Sequence, residues 1–263
     1  SAHGHSFGPV RMMGTIGYQV GILATGFVLA RSLRGLYPAM GAVLLLAACT
    51  ALMLPKVEGH QHQRRKVSLA VLLKDPQLVL LLAVVFLAHI GHQFNLAFFS
   101  KHLGDLGISN TVTGFIATLS VVLEIPFLLV GDRLMKRLSI WRWMILGLVI
   151  GAIRFALLGV LRSPALIVLA QSLSIAHLAC FEFFPMVYLG QVSGEALQAS
   201  SQSVLQMISF GVARIVGALA GGYIADVTGI PAVYGMCAAL MLATVAVFYI
   251  PMRRQALAEE ASR

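Results

Sequence analysis

Apolar residues in this chain come in long runs rather than in stripes. Eight stretches, at 12–30, 37–54, 77–99, 112–131, 140–161, 164–190, 203–225 and 230–250, are almost continuously hydrophobic. Each is close to the ~20 residues that an α-helix needs to cross a hydrocarbon core about 30 Å thick. Turn and breaker residues punctuate them: Pro38, Pro55, Pro76, Gly107, Ser139, Pro164, Gly194 and Pro231. The runs are too long for barrel strands of about ten residues and lack period-two alternation. The pattern predicts an all-α, polytopic membrane protein with about eight transmembrane helices.

Composition narrows the class further. Of 263 residues, 59% are hydrophobic and 11% charged, with mean hydropathy +0.88. A soluble domain is about one-quarter charged, so a water-soluble globule, a disordered chain and a nucleic-acid-binding domain all fit poorly. The net charge of +9 has its own cause in topology. With the N-terminus placed in the cytoplasm, thirteen of nineteen Lys and Arg, among them Lys56, Arg64, Arg65, Lys66, Lys136, Arg137, Arg253 and Arg254, fall on the cytoplasmic side. Four fall on the other side, and Arg154 and Arg214 lie within spans. This is the positive-inside bias, and it predicts cytoplasmic termini and no nucleic-acid partner. The linker 55–76 carries HQHQRRK at 60–66, which reads as a solvated topology determinant or a lipid head-group contact. Cys49, Cys180 and Cys237 sit in apolar runs, which argues against a disulfide framework.

Several short motifs resemble the major facilitator superfamily and, more narrowly, its nucleoside:proton symporter family. Arg11-Met-Met-Gly14-Thr15-Ile16-Gly17-Tyr18 is similar to that family's R-x-x-G-T-I-G-W in helix five. Glu124 in LSVVLEIPFLL falls on its acidic position in helix eight, and Arg154-Phe155-Ala156-Leu157 matches R-[FW]-x-L in helix nine. His177-Leu-Ala-Cys180-Phe181-Glu182-Phe183-Phe184 resembles H-G-x-C-[YF]-D-F-F in helix ten, with Glu182 replacing Asp. Ala199-Ser-Ser-Gln202 is similar to the A-x-A-Q that enters helix eleven. The resemblance implies a twelve-helix fold in two halves, of which this chain covers helices five to twelve. Residues 1–54 would then be the last two helices of the N-terminal half, 55–76 the central cytoplasmic loop, 77–251 a C-terminal six-helix bundle and 252–263 a cytoplasmic tail. Four N-terminal helices of the same transporter are expected as the missing partner.

Charges inside spans are the first candidates for chemistry, because each costs ~2.5–3.5 kcal/mol near the bilayer centre unless paired or solvated. Glu124, Arg154, Glu182 and Arg214 are such residues. A carboxyl in a low-dielectric cavity binds its proton more tightly, and a nearby guanidinium opposes this. Glu124 or Glu182 is therefore expected to carry a coupled proton, with Arg154 as modulator; a static ion pair between helices is the alternative. Arginine itself stays charged.

The uncharged polar residues are candidates for substrate contact. His89 and His92 are three apart and share a helix face with Asn95, while Gln93 matches a polar position of the family. His92 and Gln93 are expected at the substrate, or else in a packing stripe of hydrogen bonds. These two histidines lack further ligands in a matching arrangement, so no metal is expected. His177 and Phe181 share a face, suited to bonding and stacking a solute, with Glu182 ~140° around from His177 at 100° per residue, a geometry that Pro185 can loosen by removing a backbone hydrogen bond. Core packing of Phe181 is the competing reading. Gly14, Gly17, Gly217 and Gly221 are expected to let helices approach closely. Asp132 and Arg133, in GDRLMKR, resemble a degenerate superfamily loop motif, which implies an interhelical salt-bridge gate.

These features point to a multi-pass protein of a bacterial cytoplasmic (inner) membrane that imports a small polar solute, a nucleoside first, by proton symport with alternating access. Importers of sugars or aromatic acids and multidrug exporters of the same superfamily are the alternatives, and a non-transporting receptor or scaffold is the competitor from another class. No P-loop, nucleophile constellation or cofactor motif is present, so neither an enzyme nor a cofactor is expected.

Overall fold

A computed structural model describes Met13, Gly14, Ile16, Gly17, Val20 and Gly21, then residues 33–53, 74–192 and 194–261. The described residues are helical with short connections and no strand. A 3-10 turn (Leu33–Gly35) leads into α1 (Leu36–Leu52). There follow α2 (Pro76–Asp105), α3 (Asn110–Val122 and Glu124–Met135), α4 (Ile140–Val160), α5 (Pro164–Ser172, Ser174–His177, Leu178–Phe183 and Phe184–Val192), α6 (Gly194–Gln206, Met207–Val212 and Ala213–Thr228) and α7 (Ile230–Ala261). The chain divides into two compact units, the first holding α1 and the second α2 to α7. All six helices of the second unit contain stretches long and apolar enough to cross a membrane. Most of the expected first span, 12–30, and of the linker 55–76 lies outside the described residues.

Sequence chemistry sets the helix boundaries. The Asp75 carboxylate accepts from Gln77 N at 2.8 Å with Pro76 in the first turn, and Ser139 Oγ accepts from Arg142 N at 3.3 Å. Gly229, at φ +84°, supplies the left-handed turn between α6 and α7 that a side chain would resist. Pro126 has no N–H for Val122, four residues back, and α3 breaks between them at Leu123. Two helices outrun their apolar stretches. At 1.5 Å per residue the 30 residues of α2 extend about 45 Å, more than one core thickness. The expected tail at 252–263 continues α7 through Pro251 as far as Ala261, and Arg142 Nη2 meets Glu260 Oε2 at 2.6 Å.

Small residues govern the packing. A Cβ built on Gly217 would stand 2.5 Å from the Ile90 carbonyl oxygen, and one on Gly221 would strike the Phe94 ring, so α6 lies directly on α2. On α4, a Cβ at Gly147 would meet Cys180 Cβ at 2.5 Å, which brings α5 equally close. Gly14 and Gly17 are helical but meet nothing within 4 Å, so no packing partner is described for them. The three cysteines are free, Cys180 and Cys237 buried and Cys49 exposed.

Candidate functional site

Several buried polar side chains of the second unit gather around the middle of α2. His89 is wholly buried, and its Nδ1 lies 2.9 Å from the Val85 carbonyl oxygen. Only an N–H can bond there, so the proton sits on Nδ1 and the lone pair of the neutral ring is on Nε2. The His92 ring stacks on His177 of α5 at 4.1 Å and 5°, and His89 meets His177 edge-on at 4.7 Å. His89 Nε2, His92 Nδ1 and His177 Nε2 are buried and make no hydrogen bond among the described residues.

Glu182 is where α-helical spacing misleads. Five residues on from His177, it should point ~140° away. Residues Leu178–Phe183 instead form a π-helical segment, in which hydrogen bonds run from i to i+5 and residues five apart come onto one face. Pro185, which cannot donate to Phe181, gives the backbone a reason to widen there. Donor atoms of His89, His177 and Glu182 consequently lie within 4.8 Å of one another. Phe181 is fully buried, 5.2 Å from His177, and one ring carbon would touch a Cβ on Gly147 at 3.0 Å. In this conformation it fills the α4–α5 interface.

A second π-helical segment, Met207–Val212 in α6, faces the same stretch of α2. Gln93 Nε2 donates to the Ser209 carbonyl oxygen at 3.0 Å, while Gln93 Oε1 and Ser209 Oγ, both buried, have no partner among the described residues. The Phe210 ring packs edge-on against His89 at 5.7 Å.

Arg154 on α4 is 1% exposed. Its Nη2 donates to Gln171 Oε1 of α5 at 2.8 Å, and its Nε has no partner among the described residues. Glu124 on α3 is within electrostatic range of the guanidinium, as are His92, His177 and Tyr234. Gln171 was missed from the sequence; its signal was an amide in the middle of an apolar run. Glu124 and Glu182 are half-buried, Arg133 and Arg214 are exposed, and the side chain of Asp132 lies outside what is described.

Farther along α2, the stripe expected from His89, His92 and Asn95 divides. Asn95 Oδ1 accepts from Tyr234 Oη of α7 at 2.9 Å, and His102 Nε2 lies 3.1 Å from the Leu158 carbonyl oxygen of α4. Those two residues join helices, whereas the histidines before them converge on one another.

The MFS_1 like family matches residues 1–236. The chain is 23% identical over 246 residues to the uncharacterized transporter YwbF of Bacillus subtilis, covering 90% of this chain and 60% of that protein. It is 24% identical over 261 residues to the maltose permease of Geobacillus stearothermophilus, with 98% and 66% covered. With the xanthosine permease of Escherichia coli the identity is 27% over 243 residues, with 84% and 57% covered. The crystal structure of nucleoside transporter NupG superposes with a TM-score of 0.70 at 21% identity, over 94% of this chain and 67% of that one. At that identity the likeness is one of fold. The chain spans about three-fifths of the length of YwbF. These relatives are a transporter and two permeases, not enzymes.

Proposed function

Because the chain belongs to the MFS_1 like family, we propose that the protein is a secondary transporter that imports a nucleoside together with protons. The observation that carries this reading is Arg154: a buried guanidinium, hydrogen-bonded to a neutral amide and within range of Glu124, beside two stacked histidines. A fixed positive charge of this kind is what an acid needs in order to exchange a proton as helices move, because the carboxylate is favoured only while the guanidinium is near. Glu124, facing Arg154, and Glu182, facing the histidines, are the two coupling candidates. His92, Gln93 and His177 supply donors and acceptors for hydroxyl and base edges, with Phe181 behind His177 as a ring that a moving α5 exposes. Solute access alternates across a bacterial cytoplasmic membrane, with both termini on the cytoplasmic side. The permease for xanthosine among the relatives supports a nucleoside, and the one for maltose supports a sugar as second reading.

Uptake by the full-length protein, in cells stripped of their own nucleoside carriers, tests this. Labelled nucleoside should accumulate and a protonophore should abolish the accumulation. In Glu124→Gln or Glu182→Gln, whichever is the coupling acid, accumulation should vanish while downhill exchange persists. Accumulation of maltose but not of nucleoside would select the second reading. Intact accumulation in both single variants would overturn the proton mechanism.

A further inference from the structure

The cluster of buried acceptors shared by α2 and α5, beyond its use for solute and proton, also has the donor set of a metal site. Two of the ring nitrogens, His89 Nε2 and His177 Nε2, belong to side chains 0% and 3% exposed and find no hydrogen-bond partner among the described residues. Leaving a buried polar atom unpaired costs about 1–3 kcal/mol, so two of them on neighbouring rings mark a place built to hold a ligand. We propose that His89, His177 and Glu182 form a binding site for a divalent transition-metal ion of the zinc class, which ties α2 to α5.

The geometry supports this in three ways. First, one ligand atom from each residue lies within 4.8 Å of the other two, and the set is two imidazoles and one carboxylate, a donor combination suited to zinc with a fourth position open. With metal–ligand bonds of about 2.0–2.2 Å, tetrahedral ligand atoms sit ~3.4 Å apart, so the side chains must close in by roughly 1 Å. Second, the hydrogen bond from His89 Nδ1 to the Val85 carbonyl oxygen is the support that metal-binding histidines ordinarily have. It fixes the tautomer and aims the other nitrogen at the ion. Third, the π-helical segment Leu178–Phe183 is what brings Glu182 round to the side of His177; an ordinary α-turn would separate them. The carboxylate offsets one charge of the ion, and the surrounding imidazoles are neutral ligands. The inference is independent of which solute is carried. An ion holding α2 against α5 would also restrain any motion between these helices, making the metal an inhibitor of transport.

The test uses the purified full-length protein, stripped of metal, in a background where His3, His5, His60 and His62 are changed to Gln to remove adventitious binding. Cobalt(II) is the probe, because its visible absorption strengthens and shifts when it enters a low-coordinate site. One cobalt per protein should bind with that spectrum, and zinc should displace it. His89→Gln and His177→Gln should each weaken binding by at least about 100-fold, beyond the 10–100-fold typical for loss of a supporting residue. Glu182→Gln should weaken it too. Unchanged thermal unfolding of each apo variant shows that the protein is folded. No cobalt binding at micromolar concentration, or binding indifferent to both His89→Gln and His177→Gln, overturns the proposal. Zinc binding with unaffected uptake would overturn only the inhibitory consequence. Failure of nucleoside uptake in metal-free protein would count against the transport reading alone.

Discussion

Helix α2 presents two buried polar regions in one continuous segment, and they behave in opposite ways. Around Asn95 and His102, polar atoms find partners on neighbouring helices: Tyr234 Oη at 2.9 Å and the Leu158 carbonyl oxygen at 3.1 Å. Around His89, His92 and Gln93, less than two turns from Asn95, three side-chain atoms are buried with no partner among the described residues, and His177 adds a fourth. The same helix, depth and residue types give satisfied contacts in one place and unsatisfied ones in the other. Satisfied polar groups in a helix bundle join helices, and each is worth a fraction of a kcal/mol to about 2 kcal/mol. Unsatisfied ones cost stability, and a fold retains a cluster of them only where they serve a ligand or a proton. The first region is architecture and the second is the site.

The largest effect should come from the charge beside the unsatisfied region. Arg154→Met removes the guanidinium but keeps much of its apolar volume. Uptake should fall by about 10- to 100-fold, the range expected for losing a hydrogen bond to a charged group worth about 1.5–3 kcal/mol. Thermal unfolding should move little, because relief of the buried charge offsets the donor lost to Gln171. Initial uptake rates per folded protein, read beside unfolding temperature, check both halves. Unimpaired uptake with a collapsed unfolding temperature would put Arg154 with the architecture and break the comparison.

How much of this could be seen in the sequence depends on what a bilayer lets a sequence say. Run length located the spans well: α4 was expected at 140–161 and occupies Ile140–Val160. Helix starts at Asp75 and Ser139 carry capping chemistry that the residue types themselves announce. Helix rotation was not legible. A transmembrane helix is apolar all round, since lipid and core are equally hydrophobic, so no amphipathic stripe reveals which face meets which neighbour. For that reason Asn95 was grouped with His89 and His92, although it bonds to Tyr234, and the pairing of Arg154 with Gln171 went unseen. The placement of Glu182 failed for a different reason. It assumed 100° per residue, and although Pro185 was visible, nothing local says that the helix relieves it by a π-helical turn rather than a kink.

Within the satisfied region, one deleted oxygen should be felt as stability rather than as transport. Tyr234→Phe removes the donor to Asn95 Oδ1 and leaves that amide oxygen buried among Phe94, His102 and the rest of the α2–α7 interface. The expected cost is about 1–3 kcal/mol, the penalty for an orphaned buried acceptor. It should appear as a lower unfolding temperature in detergent, with the uptake rate per folded protein close to that of the wild type. A tenfold loss of uptake at unchanged stability would mean that Asn95 belongs to the site after all.

The smallest effect should come from removing both partners at once, and it is the sharpest test of the distinction. The penalty in Tyr234→Phe comes from the acceptor left behind, not from the bond lost, so adding Asn95→Leu should remove most of it. Asn and Leu are of similar size, and a leucine at 95 would meet the ring at position 234, which packs against Phe94, His102 and Phe155. The double variant should therefore unfold within about 1 kcal/mol of the wild type, because replacing both partners with apolar groups of similar shape is close to neutral. The coupling measured by the four-protein cycle then reports the Asn95–Tyr234 interaction itself, since each residue has the other as its principal partner. The same operation at the histidines, His89→Leu with His177→Leu, should cost the fold little, because it deletes two nitrogens that were already unpaired and gives up only the local bond from His89 Nδ1 to the Val85 carbonyl oxygen. There, however, it should abolish cobalt binding and depress uptake. If the double change at Asn95 and Tyr234 lowers uptake as deeply as the one at the histidines, the two regions are a single functional surface and the division drawn along α2 is wrong.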